Sequence, residues 1–201
     1  MRLEDVPVPD TSVARLAAEV AAEYHSPALL NHCHRSYLWA ASFGTAQGLA
    51  FDAELLHVAA MLHDIGLVEP FDSHTVAFEH AGGHVAQVFA AGAGWPAERR
   101  RRVGEVVVRH MWPAVDPDDD PEGHLLEVGT GLDISGAGPQ RWPQELRAQV
   151  LARYPRLDLA AEFVRCVEDQ AARKPDSAAA RLVRGGIADR MSDHPLEQSG
   201  S

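Results

Sequence analysis

Cysteine is scarce in this chain: two residues, Cys33 and Cys166. Neither belongs to a CxxC pair, which excludes a zinc knuckle or a redox couple and leaves two buried, reduced thiols within apolar helical patterns. Long hydrophobic runs are missing too. Every apolar stretch is broken by His, Glu, Asp or Arg, so none reaches the roughly 20 residues a bilayer crossing needs. The leading MRLEDVPVPDTS is acidic and proline-containing, unlike a secretory signal, so the expected compartment is the cytoplasm, with no membrane partner. Excess positive charge is also absent. A formal net charge of −11 offers no basic face to a nucleic acid, and the one basic run, Arg99–Arg102, reads as a solvated helix face.

Strand-like alternation is the last absence, and helical spacing takes its place. With 201 residues, 46% hydrophobic and 23% charged, the chain has the length and composition of a soluble globular domain. Residues 1–10 read as an extended lead-in. From Thr11, the residues Val13, Leu16, Ala17, Val20, Ala21 and Tyr24 follow a helical repeat. Ser26-Pro27 supplies a cap and a first-turn proline for a helix over about 27–44. Asp52 caps a third helix that ends at His63-Asp64, with Gly66 placed as the stopping glycine.

Further helices are predicted near 76–91, 97–111, 122–134, 143–154, 157–173 and 176–191, followed by a disordered tail over 193–201. The proline- and aspartate-rich segment 112–121 reads as a flexible loop able to act as a lid. The expected architecture is all-α, a single helical domain over 11–192 with C-terminal helices over 139–191.

Histidine is the residue in unusual supply. Ten of the eleven lie between His25 and His124, concentrating metal or proton chemistry in the first two thirds. His63 and Asp64 close an apolar helix, where an imidazole beside a carboxylate is costly unless something satisfies both. A divalent cation would do so. Upstream lies Asn31-His32-Cys33-His34-Arg35, and far downstream GTGLDISG places Asp133 near a helix end. Helices of a compact bundle can aim such residues at one site. His32, His63, Asp64 and Asp133 together suit zinc, manganese, iron or nickel.

The motifs NHCHRSYLWA, ELLHVAAMLHDIGL, the Phe78-Glu79 helix start, VVVRH and GTGLDISG resemble the HD-domain metal-dependent phosphohydrolase superfamily, and within it the cyanamide hydratase-like branch. They span about residues 26–136, with an echo in Tyr154-Pro155-Arg156. The resemblance implies an HD-type helical bundle whose metal ligands are His32, His63, Asp64 and Asp133, with room for a second metal. It raises Glu79 and His110 as proton-handling catalytic residues, alongside Asp64, which can orient the attacking water. The rival readings are an exposed first-turn glutamate and a histidine complementing a helix C-terminus. His34, two residues from His32 and turned ~200° around the helix, cannot share its metal. Arg35, a turn beyond His32, can reach over the metal as a substrate-binding cation, with structural ion pairing as its rival. His84 is expected near the same site, either on the substrate or on a second metal, while a separate His80–His84 zinc site is the lesser alternative. Trp112, at the expected lid, is a candidate for substrate contact.

The resulting expectation is a metal-dependent hydratase or hydrolase of a small molecule, acting with a metal-activated water on a nitrile-type carbon. The alternatives are an HD-type phosphohydrolase of a nucleotide phosphoester and a non-catalytic HD ligand-binding module. Oligomeric state stays open, a homo-oligomer included. Phosphate recognition would call for several cations around the metal, and Arg35 is the main one in the motif region.

Overall fold

A computed structural model describes residues 1–197. Ten α-helices account for most of it, and no strand occurs among the described residues. They are α1 (Ser12–Tyr24), α2 (Pro27–Gln47), α3 (Ala53–Leu62), α4 (Phe78–Gly92), α5 (Ala97–Arg109), α6 (Pro121–Ser135), α7 (Gln144–Arg153), α8 (Leu159–Arg173), α9 (Ala178–Arg184) and α10 (Ile187–Ser192). The caps explain several starts. Thr11, Ser26, Asp52, Asp120 and Ser177 each accept a backbone N–H from the first turn of the helix that follows, satisfying a donor that would otherwise have no partner. Among the described residues, no helix is long and apolar enough to cross a membrane.

α2 is the central element: thirteen of its residues are buried, including Trp39, Tyr37 and Arg35. It lies against α6 and α3, while α4 pairs with α5 across α3. The α2–α6 crossing is close because Gly129 has no side chain. A Cβ there would sit 2.6 Å from the Ser36 carbonyl oxygen, which backbone cannot yield to. Gly66 acts similarly, and not as predicted. Helix α3 ends at Leu62 and passes through His63 and Asp64 into a 3-10 turn, Ile65–Leu67. Gly66 is not among the glycines with positive φ; instead a Cβ on it would meet the Phe78 carbonyl oxygen at 2.1 Å. Its role is to let this turn tuck beneath the start of α4.

The basic run on α5 is only partly a solvated face. Arg99 pairs with Asp52 at 2.7 Å and Glu54 at 2.9 Å, and its guanidinium lies 4.0 Å from the Trp95 ring centre. Arg102 pairs with Glu122 at 2.7 Å and with Asp120. These contacts tie α5 to the acidic starts of α3 and α6.

The segment between α5 and α6 is held as well. Arg109 pairs with Asp120 at 2.5 Å, Val115 is buried, and the Val115 carbonyl accepts His124 Nδ1–H at 2.8 Å. The expected single helix over 176–191 is two, α9 and α10, broken where Gly186 turns left-handed at φ 73°. The tail is ordered through residue 197: His194 and Leu196 are buried, and Glu197 accepts Arg156 Nε–H at 2.7 Å. Residues 198–201 of the expected disordered tail lie outside the described residues.

Candidate metal centre

Two helix ends and the second turn of a third helix converge at the site. His32 comes from the second turn of α2, His63 and Asp64 from the end of α3, and His110 from the end of α5. All four are buried.

Tautomers follow from the partners. His32 Nδ1–H donates to Asp133 Oδ2 at 2.7 Å, and His63 Nδ1–H donates to the Ala60 carbonyl at 2.8 Å. Each ring is thereby left with its Nε2 as a lone pair. The two Nε2 atoms face each other at 3.0 Å, and two lone pairs at that separation require a proton or a cation between them. Asp64 Oδ2 lies 3.4 Å from both nitrogens, while neither Asp64 oxygen has a hydrogen-bond partner.

A buried carboxylate that accepts no hydrogen bond is costly unless positive charge stands beside it, and here only the two imidazoles or a cation between them can supply that charge. The donor set fits a divalent transition ion. Around an ion with bonds of about 2.1 Å, tetrahedral ligand atoms stand roughly 3.4 Å apart, close to the spacings found. His32, His63 and Asp64 offer ligand atoms all within 4.8 Å of one another. A set of imidazoles and a carboxylate is compatible with zinc, iron, manganese or nickel and does not choose among them.

Without a cation, the cluster holds protons instead. Burial works against a charged imidazole at His63, but Asp64 beside it outweighs burial and moves it up to about 9. At Asp64 burial is likewise overcome, here by His63 and His32, which hold the carboxyl well below its usual range. His110 is different. Burial, reinforced by the nearby His63, pushes its imidazolium down to about 3. Its Nδ1–H donates to the Val107 carbonyl, so its Nε2 lone pair faces the cluster, 3.8 Å from Asp64 Oδ1. A nitrogen so weakly basic suits ligation of a cation better than proton uptake.

Asp133 corrects the expected ligand set. Its Oδ2 accepts from His32 and from Arg35 Nη2 at 2.8 Å; its Oδ1 accepts from Arg35 Nε at 2.8 Å and Trp39 Nε1 at 2.9 Å. Both oxygens are committed behind the His32 ring, a placement that fixes the tautomer and orientation of that imidazole and leaves Asp133 out of the His32–His63–Asp64 cluster. Arg35 is corrected with it. Its remaining contacts run from Nη1 to the Tyr154 and Pro155 carbonyls at 3.0 and 3.1 Å, so the guanidinium is a buried brace and not a cation above the site. Arg156 Nη1–H donates to the Asp133 carbonyl, which gives the Tyr154-Pro155-Arg156 motif its structural meaning.

A cavity of about 140 Å³ opens from His32, His63, Asp64 and His110. Met111, Trp112, Phe163, Ile134 and Leu182 supply apolar wall, and Glu127, Thr130 and Ser135 supply polar groups. No Arg or Lys lines it among the described residues. Trp112, which lines the cavity, is 48% exposed.

His84 is not there: it is exposed on α4 and lines, with His80, a separate groove against α5. Glu79 is buried with its Oε2 unpartnered, and burial raises its carboxyl, yet it does not line the cavity; the charged groups that act on it are His80, Arg181 and Lys174. His34 stacks on Tyr154, ring centres 4.6 Å apart. The sequence reading missed Glu127, which shares the cavity-facing side of α6 with Thr130 and Ile134 at helical spacing; Cys33 is the buried free thiol expected, and it interacts with His63 and is pushed up by burial.

No family model matches the chain. Among curated proteins it is similar to the cyanamide hydratases DDI2 and DDI3 of Saccharomyces cerevisiae. Each is 28% identical over 174 residues, covering 85% of this chain and 77% of the yeast protein.

Proposed function

We propose that the chain is a divalent-metal-dependent hydratase of the HD type, adding water to a small, uncharged, nitrile-type substrate. The observation that carries this is the Asp64 carboxylate, without a hydrogen bond, facing two imidazole lone pairs in a small cavity lined by no Arg or Lys among the described residues. The similarity to yeast proteins named as cyanamide hydratases supports the hydratase reading and the nitrile substrate.

His32, His63 and Asp64 would hold the cation, with His110 Nε2 as a further donor. A divalent ion held there supplies Lewis acidity and lowers the pKa of water toward neutrality. The protein does the rest. Asp133 and the Ala60 carbonyl keep both Nε2 atoms unprotonated and aimed inward. Asp64, with one oxygen toward the two nitrogens and the other toward His110, can also orient the attacking water through a carboxylate lone pair. Met111, Phe163 and Leu182 restrict bulk water and strengthen every charge interaction inside.

Beside the metal itself, a phosphoester would meet Glu127 and no Arg or Lys among the described residues of the cavity wall, so the phosphohydrolase reading is the weaker one. The deciding experiment is metal analysis of the purified protein with a panel of cyanamide, simple nitriles, nucleotides and phosphodiesters. Bound metal and cyanamide turnover are expected, both lost in His63→Ala. Turnover of phosphoesters alone would overturn the hydratase reading. Function retained without metal would overturn the enzyme mechanism in favour of a ligand-binding module.

A further inference from the structure

Glu127 is the second carboxylate lining the cavity, Asp64 being the first. The wall of α6 presents residues 127, 130, 131, 134 and 135 to it, a repeat of three and four that keeps them on one helix face. The carboxyl end of Glu127, and not merely its stem, reaches this wall: a Cβ placed on Gly131 would lie 3.9 Å from Glu127 Oε1.

The Glu127 carboxylate makes no hydrogen bond and no ion pair among the described residues, although the backbone carbonyl of Glu127 accepts the Thr130 hydroxyl at 3.2 Å. The charged groups that act on it are His124, on its own helix, and Arg141, just beyond α6. His124 Nδ1–H is committed to the Val115 carbonyl, and Arg141 lies over the Phe43 ring with its guanidinium 5.8 Å from the ring centre. Burial outweighs both and raises the carboxyl. An acceptor of this kind, half-buried beside an apolar wall, gains from any N–H donor brought to it and repels an anion. Thr130 does not compete for the role, because its hydroxyl donates to the Leu126 carbonyl at 2.9 Å.

We propose that Glu127 is a specificity-determining residue of this cavity, its carboxylate accepting a hydrogen bond from an N–H group of the substrate. The site then selects nitriles that carry an amino group over fully alkylated nitriles and over anions. This rests on the hydratase reading above and deepens it by naming what recognises the non-reacting end of the substrate.

The test compares cyanamide, which carries two N–H donors, with dimethylcyanamide, which carries none, using the metal-loaded wild type, Glu127→Gln and Glu127→Ala. For cyanamide, kcat/KM falls about 10- to 100-fold in Glu127→Ala, the scale of a hydrogen bond to a charged group, and by less in Glu127→Gln, whose amide oxygen still accepts. For dimethylcyanamide both variants stay within about twofold of wild type, with unchanged metal content and melting temperature, as for a part-exposed side chain without partners. Equal losses for the two substrates, or no loss for either, overturn the assignment while leaving the hydratase reading intact. A wild-type protein that hydrates neither substrate overturns the hydratase reading, and this assignment with it.

Discussion

Asp64 and Asp133 are both fully buried carboxylates, both beside His32, and in opposite circumstances. Asp133 accepts four hydrogen bonds on its two oxygens; Asp64 accepts none. Packing alone does not separate them, since both sit at the meeting of the same helices. Protein folding normally satisfies what it buries, so an unsatisfied charge is space kept for something the chain does not itself contain. The satisfied carboxylate is architecture. The unsatisfied one belongs to the group that could hold a metal.

That contrast can be broken experimentally, and the largest effect is expected at Asp64. Asp64→Ala should reduce bound metal, read by elemental analysis, and turnover to background, while the metal-free protein loses no more than the roughly 1–3 kcal/mol that pairing with protonated His63 contributes. A marked loss of metal-free stability would make Asp64 architectural after all. Arg35→Met is expected to do the reverse, stranding Asp133 and lowering the unfolding free energy by about 3–5 kcal/mol, read from denaturant curves.

Asp133→Asn should sit between the two. It keeps the shape but weakens the charge behind His32, so metal affinity should fall about 10- to 100-fold with the fold retained. Direct ligation by Asp133 would instead show as the total loss expected at Asp64.

A pH experiment on chelated protein sharpens the same comparison. His63 is raised from 6.5 to about 9 in the folded, metal-free state. Its contribution is therefore fully present below pH 6.5 and lost as pH rises through about 9. Melting curves should show metal-free stability declining over that window by roughly 1–3 kcal/mol, and metal-loaded protein should lack the decline. The smallest effect is expected at His84→Ala, an exposed side chain away from the cavity, with stability within about 0.5 kcal/mol of wild type and turnover unchanged.

Much of this was legible in the residues. Thr11, Ser26 and Asp52 marked helix starts because capping is local chemistry, and the His63-Asp64 pair stood out because no apolar helix tolerates it without a reason. Three of the four expected ligands, His32, His63 and Asp64, do meet. Asp133 and Arg35 were misread because carboxylate and guanidinium serve a metal site equally well from in front or from behind, and the sequence holds no distance between α2 and α6.

His84 depended on the rotational phase of α4 relative to its neighbours, which its own spacing does not carry. Gly66 read as a helix stop, since a close approach to the Phe78 carbonyl is a tertiary event. Glu127 left a faint signal, a carboxylate three and four residues from Thr130 and Gly131. That signal becomes readable only once the helix face toward the metal is known.

The bond from His32 to Asp133 joins residues 101 apart in the chain. A loop of that size closes late, after local helices have formed, because its entropy cost is met only when the contacts of the finished core accumulate. Metal uptake by a refolding chain should therefore lag behind the return of helical signal, making the bound ion a reporter of the final docking of α6 onto α2.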